Sequence, residues 1–323
     1  MTVDTVCRIC GNNARNTTHL AHEMMFGYRD PFEYFECSQC GCLQICEIPR
    51  NLDKYYPDNY YAFSSPAIIK SNHITRYLLN QRTRYYLDGR STVGSVAIRR
   101  YGKPNLPAWV AASGIHVDSK ILDVGCGTGH LLVSLKNEGF SDLSGIDPFI
   151  PQDICYENGV KILKGELEEI QGPFDFIMLH HSFEHMADPV KTLTTLHRKT
   201  RLNGMVMIRM PIVQSYAWRV YRTNWIQLDA PRHLCLQSIK SMELLCDRAR
   251  FKVEAIEFDS DSFQFWGSEQ YLEDIPLYDP RSYIFGLKDS IFSESDVKSF
   301  EKKAVELNES GEGDQACFYL RRV

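Results

Sequence analysis

Beyond residue 116 the chain alternates short apolar runs with longer stretches of helical spacing. Residues 121–124, 143–146, 160–163, 174–179 and 205–210 are mostly apolar and too short for helices, and they predict five strands, the first covered on both faces. The segment 189–201 has Pro189 at its start, Val190, Leu193 and Leu196 on one face, and Gly204 just past its end, which is the pattern of an amphipathic helix. Residues 251–258 and 316–321 supply a sixth and a seventh strand, with a helix expected over 295–306 between them. This order predicts an α/β fold, a mostly parallel seven-stranded sheet whose last strand is antiparallel and whose final two strands pair at the edge.

The first hundred residues follow a different pattern. Residues 66–101 read as helical, with Ile68, Ile69, Ile74, Leu78, Leu79 and Leu87 among several arginines, and Pro104 and Pro107 mark a loop before the first strand. Upstream, Cys7-x-x-Cys10-Gly11 and Cys37-x-x-Cys40-Gly41 repeat one knuckle twice. Each pair aims two thiolates at one ion, so Cys7, Cys10, Cys37 and Cys40 are expected to close a tetrahedral zinc site; iron in the same site is the alternative. Four protein ligands leave no open position, which makes the expected role structural, holding together a segment too small for its own core. Cys42 and Cys46 read as structural thiols outside that set. The organisation expected is a zinc ribbon over 1–50, an aromatic-rich and helical connector over 51–115, and an α/β domain over 116–323.

Composition narrows the setting. Apolar residues at 44% and charged residues at 24% describe a soluble globular protein, and a net charge of −5 argues against an extended nucleic-acid surface. The longest apolar runs fall short of a membrane span, and the N-terminus lacks the charged and apolar regions of a signal peptide, so a cytoplasmic location is expected. Eleven cysteines, an odd number with the leading ones in ligand pairs, argue against a disulfide framework. Nothing in the sequence specifies an oligomeric state.

The chemistry starts at residues 121–129, Ile-Leu-Asp-Val-Gly-Cys-Gly-Thr-Gly. Gly125, Gly127 and Gly129 let the backbone approach a ligand where a Cβ would collide. A pyrophosphate at this turn would want no nearby anion, whereas Asp123 suits a cationic ligand. A second short strand then ends in Asp147, the acceptor expected for two ribose hydroxyls. In these residues the chain resembles the class I S-adenosylmethionine-dependent methyltransferases, from about Val117 to the C-terminus. The resemblance implies a Rossmann-like sheet and S-adenosylmethionine bound by Asp123, Gly125, Cys126, Gly127, Gly129, Asp147 and Pro148. It also brings Glu166 to the adenine amino group, Leu167 onto the ring, and His180 beside the donor.

The fourth strand ends in His180-His181-Ser182-Phe183-Glu184-His185, at the sheet edge where an open parallel sheet carries its ligand. Around Glu184-His185 the chain is similar to ubiquinone-type O-methyltransferases, a resemblance that implies a divalent ion there, but His181 stands where those enzymes tend to carry a carboxylate, which leaves that ion an open expectation. Glu184 and His185 read equally as catalytic groups or as braces for the helix at Pro189. Further on, Trp225-x-x-x-Asp229-x-Pro231-Arg232-His233 resembles bacterial methyltransferases of glycan and polysaccharide synthesis, several of which carry an N-terminal four-cysteine module. Trp225, Asp229 and Arg232 are therefore candidates for an acceptor wall, and an internally stapled turn explains them equally. Tyr60 and Tyr61, in an aromatic cluster with Tyr55, Tyr56 and Phe63, serve either as a stacking surface for the acceptor or as a docking surface for the small module.

A sugar hydroxyl needs a base near the methyl group, and His181 and His233 are the candidates. The expected activity is O-methylation of a small polar acceptor, a sugar or glycan intermediate. C-methylation of a sugar, and methylation of RNA with the zinc module as reader, are the alternatives.

Overall fold

Two sheets organise the described residues, which are 5–57, 64, 66–67 and 72–323 of this computed structural model. Near the N-terminus, β1 (Thr17–His22), β2 (Pro31–Glu36) and β3 (Leu43–Ile45) form an antiparallel meander. The helical connector is a hairpin of α1 (His73–Asp88) and α2 (Thr92–Tyr101). Asn72 and Ser91 cap the two N-termini by accepting from the backbone N–H of Thr75 and Gly94, and Gly89 ends α1 in the left-handed conformation. A short α3 (Ala108–Ser113) follows the proline loop.

The larger unit then runs β4 (Lys120–Val124), α4 (His130–Asn137), β5 (Asp142–Asp147), β6 (Ile154–Cys155), β7 (Lys161–Lys164), β8 (Phe174–His180), α5 (Pro189–Lys199) and β9 (Thr200–Pro211). It continues through α6 (Tyr216–Tyr221), β10 (Cys235–Leu236), α7 (Ile239–Ala249), β11 (Phe251–Phe258), α8 (Phe263–Leu272), α9 (Glu294–Ser310) and β12 (Gln315–Arg322). The main sheet has eight strands in the order β11-β12-β9-β8-β4-β5-β7-β6. The eighth strand corrects the expected seven: β6 folds back antiparallel on β7, and two residues carry no periodicity that a sequence could reveal. The antiparallel final strand is present as expected, with β12 lying between β9 and β11 and antiparallel to both.

From β4 the chain crosses to β5 and β7 on one side, then returns to β8 and β9 on the other. Loops leaving β4 and β8 therefore diverge and open a crevice at the strand C-termini. The N-terminal meander is tied to this unit by β10, which pairs with β3 as its fourth strand. Beneath that junction Cys7, Ile9, Cys37 and Cys40 share one apolar cluster with Leu179 of β8, Ile208 of β9 and Leu245 of α7. Among the described residues no helix is long and apolar enough to cross a membrane.

Candidate active site

The crevice is a cavity of about 1000 Å³, walled by the loops after β4, β5, β7 and β8. Gly125 and Gly127 line it with φ of 72° and 53°, a left-handed backbone that glycine adopts without strain. At Gly125 a side chain is also excluded by space, because a Cβ would lie 2.5 Å from Cβ of Ser182. Ser182 in turn donates to the Val124 carbonyl at 2.7 Å and locks the β4 and β8 loops together. Asp147 ties the turn to β5: its Oδ2 accepts from Gly127 N–H and its Oδ1 from Phe149 N–H, both at 2.8 Å. Cys126, Pro148, Glu166, Leu167 and His180 also line the cavity, whereas Gly129 sits behind it as the N-cap of α4, packed against Ile162.

Asp123 is buried at the cavity wall. Burial first, and then the neighbouring Asp147, push its carboxyl up to about 8. Two carboxylates facing one void want a cation, so the residues present fit a ligand with an ammonium or sulfonium group and oppose a pyrophosphate. His180 is held neutral, its pKa lowered to about 3 by burial and by Arg209. Over the mouth, Tyr56 from the N-terminal part stacks on Phe149 with 5.4 Å between ring centroids and 13° between planes.

A second cavity of about 300 Å³ adjoins the first, and His181 and His185 line both. Its remaining walls come from distant places: Met25 of the N-terminal part, Gln227, Asp229 and His233 after α6, and Tyr271, Leu277 and Tyr278 at and beyond the end of α8. His181 and Asp229 both face it with left-handed backbone, φ 49° and 41°, a strain that non-glycine residues bear mostly at functional sites.

The four histidines and acids at this junction have distinguishable roles. Arg209 Nη1 lies 2.7 Å from His181 Nε2, and since a guanidinium only donates, that nitrogen accepts. His181 Nδ1 then carries the proton, 3.5 Å from Glu184 Oε1. His233 Nδ1 is 2.7 Å from the Gln227 carbonyl and His185 Nδ1 is 2.8 Å from the Arg232 carbonyl; carbonyls only accept, so both rings donate from Nδ1 there. Burial, and then His185, lower the His233 pKa to about 4. Burial raises the Glu184 carboxyl, but His181 and the other two imidazoles outweigh it and bring the pKa to about 2.

Two of the residues expected to wall the acceptor lie elsewhere. Trp225 is fully buried and donates to Asp314 at 2.8 Å; Arg232 is fully buried between Asp229 and Glu23 and lies over the Phe26 ring. Both brace the loop and its junction with the N-terminal part, because their long side chains find partners inward, and only Asp229 reaches the second cavity. Tyr60 and Tyr61 lie outside the described residues. Tyr56, Phe149, Met25, Tyr271 and Tyr278 line the cavities without having been singled out as site residues, and His185, expected as either a catalytic group or a brace, lines both. The aromatic density at Tyr55 and Tyr56 was a usable signal for one of them; the pocket residues beyond α8 carry no motif.

The sulfur atoms of Cys7, Cys10, Cys37 and Cys40 lie within 4.8 Å of one another, with Cys7 to Cys40 at 3.6 Å and Cys10 to Cys37 at 3.5 Å. A tetrahedron with Zn–S arms of ~2.3 Å has edges of roughly 3.8 Å, so the set fits zinc. Gly11 and Gly41, at φ 76° and 74°, make the turn that each knuckle requires. Cys42 lies beside the cluster, 3.3 Å from Cys40, and Gln44 donates to its sulfur at 2.7 Å.

A family profile described as a methyltransferase domain matches residues 97–256. Curated relatives include the tRNA U34 carboxymethyltransferase of Campylobacter fetus, 26% identical over 42% of this chain and 51% of that protein. The ubiquinone biosynthesis O-methyltransferase of Pseudomonas aeruginosa is 28% identical over 38% of this chain and 59% of its own length. The chain thus spans between half and three fifths of these two relatives. Among solved structures, an S-adenosylmethionine-dependent methyltransferase from Archaeoglobus fulgidus aligns over 74% of this chain and 97% of its own, with 17% identity and a TM-score of 0.40. Strand order, glycine turn, paired acids and family profile agree: this chain carries a class I S-adenosylmethionine-dependent methyltransferase domain.

Proposed function

We propose that the protein methylates a small polar acceptor, a sugar or glycan intermediate on oxygen, with S-adenosylmethionine as donor. The observation that carries this reading is the pair of adjoining cavities, a donor crevice lined by Asp123 and Asp147 and a small second chamber reached past His181 and His185.

In the donor crevice Asp123 balances the ligand's positive charge and Asp147 accepts from the ribose, while Glu166 and Leu167 border the adenine. S-adenosylmethionine supplies a methyl group on a sulfonium, which leaves the protein the tasks of aligning the acceptor and excluding water. Tyr56 and Phe149 cover the mouth. In the second chamber Tyr271, Tyr278 and Leu277 offer the apolar and aromatic faces that a sugar ring packs on, and Asp229 and Gln227 offer hydrogen bonds. Because Arg209 occupies His181 Nε2, while Nδ1 of His185 and of His233 donates to a backbone carbonyl, the ring nitrogens placed to act on an acceptor hydroxyl are Nε2 of His185 and of His233.

The test is methyl transfer from labelled donor to a panel of nucleotide sugars, glycan precursors and transcribed tRNA. Label on a carbohydrate oxygen is the expected outcome. Label on carbon would move the reading to sugar C-methylation, and label on tRNA alone would overturn the carbohydrate acceptor.

A further inference from the structure

Outside the crevice, apolar exposure and positive charge coincide in one place, the α1–α2 hairpin. Seven of the 21 large hydrophobic side chains exposed among the described residues fall within residues 74–101, too dense a group for the scattered apolar exposure of an ordinary surface. The same stretch is basic. Residues 73–103 carry six arginines and one lysine against one acid, Asp88, in a chain whose net charge is −5, so the remainder is more acidic still. Arg82 and Arg84 are used inward, on Glu138 and Asp118, and with Asn80, which donates to the Gly139 carbonyl at 2.9 Å, they fasten α1 to the larger unit. Arg90, Arg99, Arg100 and Lys103 are exposed and make no ion pair among the described residues.

The geometry places both kinds of residue on one face. Helix α2 lies directly on α1 because Gly94 has no side chain; a Cβ there would come 2.0 Å from the Gln81 carbonyl oxygen. Buried Gly94 and Ala97 therefore mark its inner side. At about 100° per residue, Val93, Val96, Arg99 and Arg100 fall on the opposite side, with Val96 65% exposed, and Lys103 follows just past the helix end. The two helices run antiparallel with Gly94 at Gln81, so Tyr101 comes level with the first two turns of α1, where Ile74 is 72% exposed and Tyr77 is exposed as well. Arg100 lies over the Tyr101 ring, 5.5 Å from its centroid.

A partner for this face must carry negative charge and also admit apolar side chains between its charges. An RNA backbone supplies only the first, and RNA-binding surfaces stack bases on aromatic rings without need of valine or isoleucine. A second copy docked symmetrically would set Arg99 and Arg100 against their own copies. An anionic bilayer meets both needs: its phosphates take the guanidinium and ammonium groups, its acyl boundary takes the aliphatic tips, and tyrosine favours the headgroup level. We propose that the outer face of the α1–α2 hairpin docks the protein on an anionic lipid surface, lying on it without crossing it. Val93, Val96 and Ile74 enter the headgroup boundary, Tyr77 and Tyr101 sit at its level, and the four exposed cations pair with lipid phosphates. The acidic remainder of the chain turns toward water, which fixes the orientation. This docking does not rest on the methyl-transfer reading.

The test is co-sedimentation of full-length, zinc-loaded protein with vesicles of phosphatidylcholine, either alone or with about one third phosphatidylglycerol. Binding to the anionic vesicles only, weakened by salt, is the expected result. Arg99→Gln combined with Arg100→Gln should lower the partition coefficient about 25-fold, because each cation near an anionic surface is worth roughly fivefold. Val96→Asp should lower it about tenfold or more. Both variants change exposed side chains outside the crevice lining, so affinity for S-adenosylhomocysteine should match the parent's, which separates lost docking from lost folding. Three results would overturn the proposal: protein left in solution with both vesicles, equal binding to both, or anionic binding that neither variant reduces. With vesicles unbound, retention of transcribed tRNA that the arginine variant abolishes would assign the face to RNA, and a dimer that Val96→Asp dissolves would assign it to a second copy.

Discussion

The donor side and the acceptor side of the crevice differ in how the chain builds them. The donor wall comes mainly from successive strand ends between Asp123 and Ser182, where each strand-end loop brings a run of neighbouring residues to a common edge. The acceptor wall gathers Met25, His185, His233 and Tyr278, residues from four separate parts of the chain. The first is local geometry repeated along a parallel sheet; the second exists only once the N-terminal part has docked. Damage to that docking should therefore spare donor binding, and damage to the glycine turn should spare the docking.

The largest separation is expected from the cysteine cluster. Structural zinc contributes on the order of 10 kcal/mol to small modules, so chelation, or Cys37→Ser, should expose β1, β2, β3 and β10 to hydrogen exchange while β4, β5 and β8 keep their protection. Mass-spectrometric exchange reads this directly, and uniform loss across both sheets would break the distinction.

Next in size is Arg232→Met, which leaves Glu23 and Asp229 buried without their cation and should cost about 3–5 kcal/mol of stability in denaturant titrations. Below the unfolding transition its affinity for S-adenosylhomocysteine should match the parent's. Gly125→Ala should show the converse, about a 100-fold loss of that affinity, equal to ~2.7 kcal/mol, because its Cβ meets Ser182 and shifts the turn. Arg232→Met weakening the donor as much as Gly125→Ala does would merge the two sides into one unit.

The smallest effect is a proton. With its folded pKa at about 8 against an ordinary 3.8, the Asp123 carboxyl is mostly protonated at pH 7 in the free protein. A pKa raised on folding favours the folded state most at low pH, and this contribution is lost as pH rises through about 8. A cationic ligand ionises the group, so donor binding should release close to one proton at pH 7 and tighten by up to about tenfold per unit as pH rises toward 8. Calorimetry in buffers of different ionisation enthalpy measures the release; heat independent of buffer would assign Asp123 another role.

How much of this the sequence carried follows the same division. Strands β4, β5, β8 and β11 were legible because burial on both faces leaves short, mostly apolar runs, or alternation in the case of β11. The glycine turn was legible because positive φ restricts the residue type. The knuckles were legible for the same reason, since Gly11 and Gly41 follow their cysteine pairs. Trp225 and Arg232 stayed ambiguous because a large or charged side chain reads the same whether it faces a ligand or a buried partner. Only the folded chain shows Asp314 under the indole and Glu23 beside the guanidinium. His185 was visible in the sequence, but its importance depends on a carbonyl and a histidine some 47 positions downstream in the loop after α6.

The central claim is that Asp123, the glycine turn and Asp147 cradle a sulfonium nucleoside. Calorimetric titration of zinc-loaded protein with S-adenosylmethionine and with S-adenosylhomocysteine tests it most directly. The account predicts saturable heat at one equivalent for each, lost in Asp147→Ala; no heat with either ligand, alongside ready binding of NAD, would contradict it.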